Sequence, residues 1–385
     1  MKRYVIALKR LKIQDYIIVK IVANNTENQL KKLFNGEDLS VIENDFELIK
    51  YQNVFHDSAS LKDAIHYADD VLKNNKLHGI KTIIFTDRYY PENLKKINNP
   101  PPILYYKGAC LTKKHRKALA CIGTREATKF SLNATNYLIP QWVNEEFVII
   151  SGLAKGVDTF SHTACITSKG ITIAVLAHGL DQIYPLENEE LANKIIELGG
   201  TLISEYPIGT KPDKFRFVER NRLIVGLSQG TVVFETKVKS GTMHAVQDTL
   251  NQNKPVFCPN PGNGNLIEQQ EGLRYLIENN KAIQIENGAN FEVPIYKLGY
   301  KLKHSPLRLN KIKEVYIKSL LNNSNVNIDF SVIEDGLRVE ENRKKASFTV
   351  NKDKYEQLKE LAYKNHLSTK DILNGLIEAV LSKNE

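Results

Sequence analysis

The sequence predicts an α/β fold: a parallel sheet with helices on both faces, preceded by a helical N-terminal domain and followed by a small C-terminal unit. Three observations carry this. From about residue 117 to 290, short β-rich apolar runs alternate with helix-length segments, the pattern of a parallel sheet covered on both sides. Most of those runs end at a small or polar turn, among them Gly123-Thr124-Arg125, Ser151-Gly152, Ala177-His178-Gly179, Ser204-Glu205 and Glu235-Thr236. Outside that stretch the alternation is absent, and residues 1–80 and those after 290 belong to other units.

Taken in order, residues 1–80 read as a helical accessory domain. Tyr4, Val5, Ala7 and Leu8, then Tyr16, Ile17 and Val19, recur at near-helical spacing. Asp57 or Ser58 can cap a helix carrying Leu61, Ala64, Ala68, Val71 and Leu72. A strand is expected at 81–85. The run Pro100-Pro101-Pro102 forbids helix and favours an extended segment, so 89–108 is expected to bridge onto the sheet. Strands follow at 118–122, 147–150, 172–176, 201–203, 231–234 and 255–258, with helices at 130–143, 159–167, 188–198, 222–227 and 242–251. The main domain is thus 81–290. Residues 291–342, mixed and rich in Lys and Asn, are expected to form a linker or connecting subdomain, and 343–385 a separate unit.

Composition narrows the function. Among 385 residues, Lys and Arg outnumber Asp and Glu by 53 to 44, for a net charge of +9 and a pI near 9.1, a tilt toward a polyanionic partner. Cys110, Cys121, Cys165 and Cys258 form no C-x-x-C pair and read as reduced residues of a cytoplasmic protein. The N-terminus holds only a five-residue apolar run, and no run approaches the roughly eighteen residues of a membrane span, so no membrane partner is expected. There is no Walker lysine motif, no metal-spaced His/Cys set and no nucleophile elbow. A binding protein without catalytic residues, metal or cofactor is the expectation.

The binding residues gather at the strand-end turns, which in an open α/β sheet meet at one edge. In Ser151–Asp158, SGLAKGVD, Gly152 and Gly156 permit close backbone approach, Ser151 offers a hydroxyl, and Lys155 adds charge beside a helix N-terminus. Asp158 and His162 lie four apart on one helix face, to contact ligand or to brace the helix. Arg220-Asn221-Arg222, placed ahead of an apolar helix, suits a phosphate backbone plus one base or sugar contact; one of the arginines could instead brace Glu205 or Glu235. Ser240-Gly241-Thr242 opens a helix and forms a second anion cradle. His178, Gly179, Glu205 and Glu235 complete a possible pocket, in which the two glutamates could act as acid and base.

Seven blocks make the sequence recognisable: Gly123-Thr124-Arg125, then SGLAKGVDTFSHTA (151–164), TIAVLAHGLDQIYPLEN (172–188), LISEYP (202–207), ERNRLIVGLS (219–228), FETKVKSGT (234–242) and PVFCPNPG (255–262). Together they resemble the DNA-processing protein family DprA, also called Smf, over residues 80–285. The segment at 89–108 is similar to that family's entry into its main domain. The resemblance implies an extended Rossmann fold that binds single-stranded DNA, forms a homodimer and loads the recombinase RecA during natural transformation or related DNA uptake. Gly123-Thr124-Arg125 stands where the family has Gly-Ser-Arg, which makes Arg125 the first choice for a phosphate contact. Lys155 stands where Arg is usual, keeping the charge without the planar fork. His178 replaces a small residue or Cys. The same layout serves nucleotide-binding or nucleotide-processing enzymes and sensors, the alternative function.

In the last unit, residues 344–350 alternate strictly, with Ala346, Phe348 and Val350 on one face and Lys345, Ser347 and Thr349 on the other. Two amphipathic helices follow, over 353–365 and from Ser368. So small a unit cannot bury its apolar faces alone, and dimerisation is expected. It resembles a ribbon-helix-helix module, which implies that Lys345, Ser347 and Thr349 face the major groove of duplex DNA and that the chain could be a regulator. The family's own C-terminal appendage usually resembles a winged helix, so this unit departs from it.

Overall fold

The computed structural model describes residues 1–304 apart from 44–46, 112, 263, 265 and 287–289. The unit expected over 343–385, with Lys345, Ser347 and Thr349, and most of the stretch 291–342 lie outside the described residues.

The chain opens with helices α1 (Lys2–Arg10), α2 (Asp15–Asn24), α3 (Glu27–Phe34), α4 (Ser40–Glu43), α5 (Gln52–His56) and α6 (Ser58–Leu77). Local chemistry sets their starts. Thr26 and Gln29 form a reciprocal capping box on α3, and the Asp57 carboxylate accepts the N–H groups of Ala59 and Ser60 at the head of α6. Tyr4 through Leu8 are all buried in α1, more than one helical stripe, because that helix is covered on more than one side. The cover includes the sheet: Ile17, Leu30, Leu33 and Ala64 share one core with Tyr105, Leu176 and Leu202.

The sheet has nine strands: β1 (Lys81–Ile84), β2 (Ile103–Gly108), β3 (Ala118–Ile122), β4 (Val148–Ser151), β5 (Thr172–Leu176), β6 (Thr201–Ser204), β7 (Gly230–Val233), β8 (Val256–Pro259) and β9 (Ile283–Ile285). Their order is β1-β2-β6-β5-β4-β3-β7-β8-β9. Strands β3 to β9 are parallel, whereas β1 pairs with β2, and β2 with β6, antiparallel. The stretch expected to bridge onto the sheet therefore becomes part of it, as its edge. Every residue of β3 to β8 is buried, which is why these strands read as unbroken apolar runs.

Between the strands lie α7 (Glu92–Lys95), α8 (Lys129–Asn144), α9 (Val157–Thr167), α10 (Glu189–Glu197), α11 (Lys214–Leu227), α12 (Gly241–Asn251) and α13 (Glu268–Glu278), with α14 (Val293–Lys297) after β9. Helices α8 and α9 pack on one face through Trp142, Val157 and Cys165, and α11, α12 and α13 on the other through Leu223, Val246 and Leu273. From β3 the chain winds through β4, β5 and β6, then returns to place β7 on the other side of β3. That reversal leaves a crevice at the carboxyl ends of β3 and β7.

Two carboxylates fix the position of whole segments. Helix α11 starts at Lys214, eight residues before the expected 222, because the Asp213 side chain caps it by accepting from the Phe215 N–H. At the opposite rim of the sheet, the buried Glu145 carboxylate accepts the backbone N–H groups of Lys303 and His304 at 2.8 and 2.9 Å, and the Trp142 indole donates to the Phe291 carbonyl at 2.8 Å. All four cysteines are free, and no described helix is long and apolar enough to cross a membrane.

Candidate nucleic-acid interface

An open cleft of about 660 Å³ occupies the switch point between β3 and β7. Gly123, Thr124 and Arg125 form one wall, and Ser240, Gly241 and Thr242 at the head of α12 form another. The turns interlock through the backbone: the Thr124 N–H donates to the Glu235 carbonyl at 2.7 Å, and the Val157 N–H donates to the Thr124 carbonyl at 3.1 Å. Gly156 makes this possible. Its φ is +77°, and a Cβ there would lie 2.4 Å from the Thr124 carbonyl oxygen. Ser240 bonds Thr236 through their hydroxyls at 2.7 Å, while Gly241 and Thr242 bring N–H groups that have no acceptor within the helix.

The loop Ser151–Asp158 departs from expectation. Its anion cradle already holds an anion of its own: Asp158 Oδ2 accepts the N–H groups of Gly152 and Ala154, both at 3.2 Å. The Ser151 hydroxyl is buried and donates to the Cys121 carbonyl at 2.7 Å, so neither Ser151 nor Gly152 is presented to a phosphate. Burial raises the Asp158 pKa, and the nearby Arg220 charge opposes that rise. His162 braces rather than binds. Its Nδ1 lies 2.7 Å from Thr172 Oγ1, whose own proton goes to the Ile149 carbonyl, so the imidazole is the donor. Burial lowers its pKa to about 3, leaving it neutral. Lys155 is exposed, paired with Glu187 at 2.5 Å, and does not line the cleft.

The early start of α11 redistributes Arg220-Asn221-Arg222. Within a helix, residues two apart point about 200° apart, so the two arginines cannot face one ligand. Arg220 turns inward. Its guanidinium is buried, Nη1 donates to the Gly152 carbonyl at 2.8 Å and also to the Val175 carbonyl, and burial lowers its pKa to about 10. Arg222 pairs with Glu205 and donates to the Asn99 carbonyl at 2.9 Å, so it is the arginine that braces the sheet edge. Asn221, between them, lines the cleft. Glu235 is buried and committed, accepting from the Thr128 N–H, the Thr128 hydroxyl and the Ser131 hydroxyl at 2.8, 2.6 and 2.7 Å. His178 bonds the Gly179 carbonyl at 2.9 Å, and burial lowers its pKa; neither residue lines the cleft.

Cleft residues not expected from the sequence include the aromatic Tyr184 and Phe217, the cationic Lys214 and Lys237, and the acidic Glu126 and Asp213. Two guanidinium groups stand over the Phe217 ring, Arg125 at 5.2 Å and Arg220 at 5.9 Å from its centroid, and the ring of Tyr184, which is 48% exposed, lies 5.7 Å away. Arg125 and Lys214 are exposed and have no carboxylate partner among the described residues. Lys237 is held by Glu126 and Glu268 at 3.1 and 3.0 Å. The alternation Lys214-Phe215-Arg216-Phe217 is the signal that could have found this wall, since aromatic side chains interleaved with cations mark single-strand platforms. No group of three or more potential metal ligands occurs among the described residues.

A doubly wound sheet with a basic, aromatic cleft at its switch point defines a Rossmann-type protein suited to a polyanion carrying flat rings. The family model for DNA recombination-mediator protein A matches residues 81–292, more than half of the chain, and the chain belongs to that family. DNA processing protein DprA of Bacillus subtilis is 39% identical over 188 residues, 49% of this chain and 63% of that protein. Protein Smf of Synechocystis is 38% identical over 200 residues, 50% of this chain and 48% of that protein. The chain thus spans less than two thirds of either. DprA of Streptococcus pneumoniae is 34% identical over 252 residues, 64% of this chain and 87% of that protein. Its X-ray structure superposes with a TM-score of 0.61 at 25% identity, covering 78% of this chain and 99% of that one.

Proposed function

We propose that the chain binds single-stranded DNA along this cleft, in DNA processing or recombination and without a catalytic step. One observation carries the reading: two unpaired cations, Arg125 and Lys214, flank the Tyr184–Phe217 pair at the switch point. Phosphates meet Arg125, Lys214 and the N–H groups at the head of α12, and bases stack on the aromatic rings. Binding without chemistry is supported by the glutamates: Glu235 is consumed by three donors and Glu205 by Arg222, so neither is poised to move a proton. A second copy of the chain, the recombinase RecA and a cytoplasmic location complete the reading on family likeness alone. Duplex DNA at the C-terminal unit rests on its sequence.

Anisotropy of labelled oligo-dT over a range of salt tests this. Alanine at Arg125 and Lys214 together is expected to weaken binding and to flatten the slope of log affinity against log salt by about 1.4, at roughly 0.7 per phosphate contact. Phe217→Ala should cost about 1–3 kcal/mol with the slope unchanged. Unaltered affinity in the double variant would sink the assignment.

A further inference from the structure

We propose that a second cavity, beside the C-terminal end of α11, binds one nucleotide, with its base in an apolar chamber and its phosphate on Arg88 and Arg116. The cavity measures about 510 Å³, within the roughly 300–1,000 Å³ typical of small-molecule sites. Its floor is Ile150 and Ile173, register partners on β4 and β5, with Leu111 and Leu227 beside them. Asn93 holds the walls in place, its side-chain amide donating to the Arg116 and Leu227 carbonyls at 3.1 and 3.0 Å.

The mouth has the chemistry of an aromatic anion's site. Tyr89 is 52% exposed there, with the Arg88 guanidinium 5.7 Å from its ring centroid, so a flat ring entering the chamber meets an exposed aromatic edge backed by a cation. Arg88 and Arg116 face one carboxylate, Glu92, which lies 3.8 Å from Arg116. The mouth therefore stays net positive. The last carbonyls of α11 do not reverse this, because the Lys254 ammonium donates to those of Val225 and Gly226 at 2.6 and 3.1 Å. Aliphatic floor, aromatic lip and two guanidinium groups together select a base joined to a phosphate, either as a free mononucleotide or as the end of a strand. Along α11 the cleft is lined from Lys214 to Ile224 and the chamber by Leu227, and the two linings share no residue, so the two sites can be addressed by separate substitutions.

Calorimetric titration of the full chain with dAMP, dTMP and AMP, and with a short 5′-phosphorylated oligo-dT, tests the proposal in wild type and in protein carrying Arg125→Ala with Lys214→Ala. Saturable binding of a free nucleotide is expected, unchanged by the cleft substitutions. Arg88→Ala with Arg116→Ala, both exposed positions, is expected to weaken it about tenfold, the effect of losing charge-assisted contacts, while oligo-dT binding at the cleft is retained. Tyr89→Ala serves as a second variant, and its thermal midpoint checks the fold. If only the phosphorylated strand binds to the cleft-silenced protein, and the arginine pair is needed, the ligand is a strand end. No binding of any probe at about 1 mM, or binding that depends on Arg125 but not on Arg88 and Arg116, overturns the site.

Discussion

At the scale of single residues, the space that glycine leaves matters as much as the charges. A Cβ on Gly152 would stand 2.4 to 2.6 Å from three atoms of the Arg220 guanidinium, which is fixed between two carbonyls and cannot retreat. Gly152→Ala is therefore expected to lower stability by about 1–3 kcal/mol, read as a fall in thermal midpoint. Removing the guanidinium is worse. Arg220→Met strands the buried Asp158 carboxylate and should cost about 3–5 kcal/mol, with Asp158→Asn in the same background restoring part of it. A double-mutant cycle in urea measures both. The sequence allows that one of Arg220 and Arg222 braces Glu205 or Glu235, but does not say which. Which one is buried follows from the helix phase, and the phase was hidden until Asp213 was seen to cap α11. For a similar reason the sequence leaves open whether Asp158 contacts ligand or braces its helix, and does not say that it folds back to fill the cradle of loop Ser151–Asp158.

At the scale of elements, α9 carries a pH response. The His162 imidazole takes up a proton near 6.5 when unfolded but only near 3 when folded, so protonation favours the unfolded chain across that window. Its contribution to stability is complete above pH 6.5 and falls with decreasing pH at up to about 1.4 kcal/mol per unit. Wild type minus His162→Asn, measured by urea denaturation from pH 7 to 5, should show that slope, and the difference cancels the carboxylates common to both proteins. Strands β3 to β8 were legible because burial on both faces writes an unbroken apolar run. The sense of β1 and β2 was not, since antiparallel pairing at a sheet edge is set by tertiary partners and leaves no period of its own. The aromatic wall of the cleft was not legible because a helix expected only from 222 leaves Phe217 outside it.

At the scale of the whole molecule, the N-terminal helices were legible as helices but not as a cover for the sheet, because an apolar stripe does not name what it packs against. The shared core predicts that they unfold with the sheet. Leu33→Ala is expected to lower the midpoint by about 2–5 kcal/mol in free-energy terms, and to do so in the fluorescence of Trp142, the only tryptophan, which lies in the other half of the structure. An unmoved tryptophan transition would mean that the helices melt by themselves. The far rim sets a practical boundary. The family match stops at residue 292, yet the last fastening among the described residues is the pair of N–H groups that Lys303 and His304 give to Glu145, a carboxylate 1% exposed. A chain cut at 292 would leave that buried charge without two of its donors. A scissor placed after 304 spares these two donors, so the two choices, similar on an alignment, differ by one buried anchor at the base of the sheet.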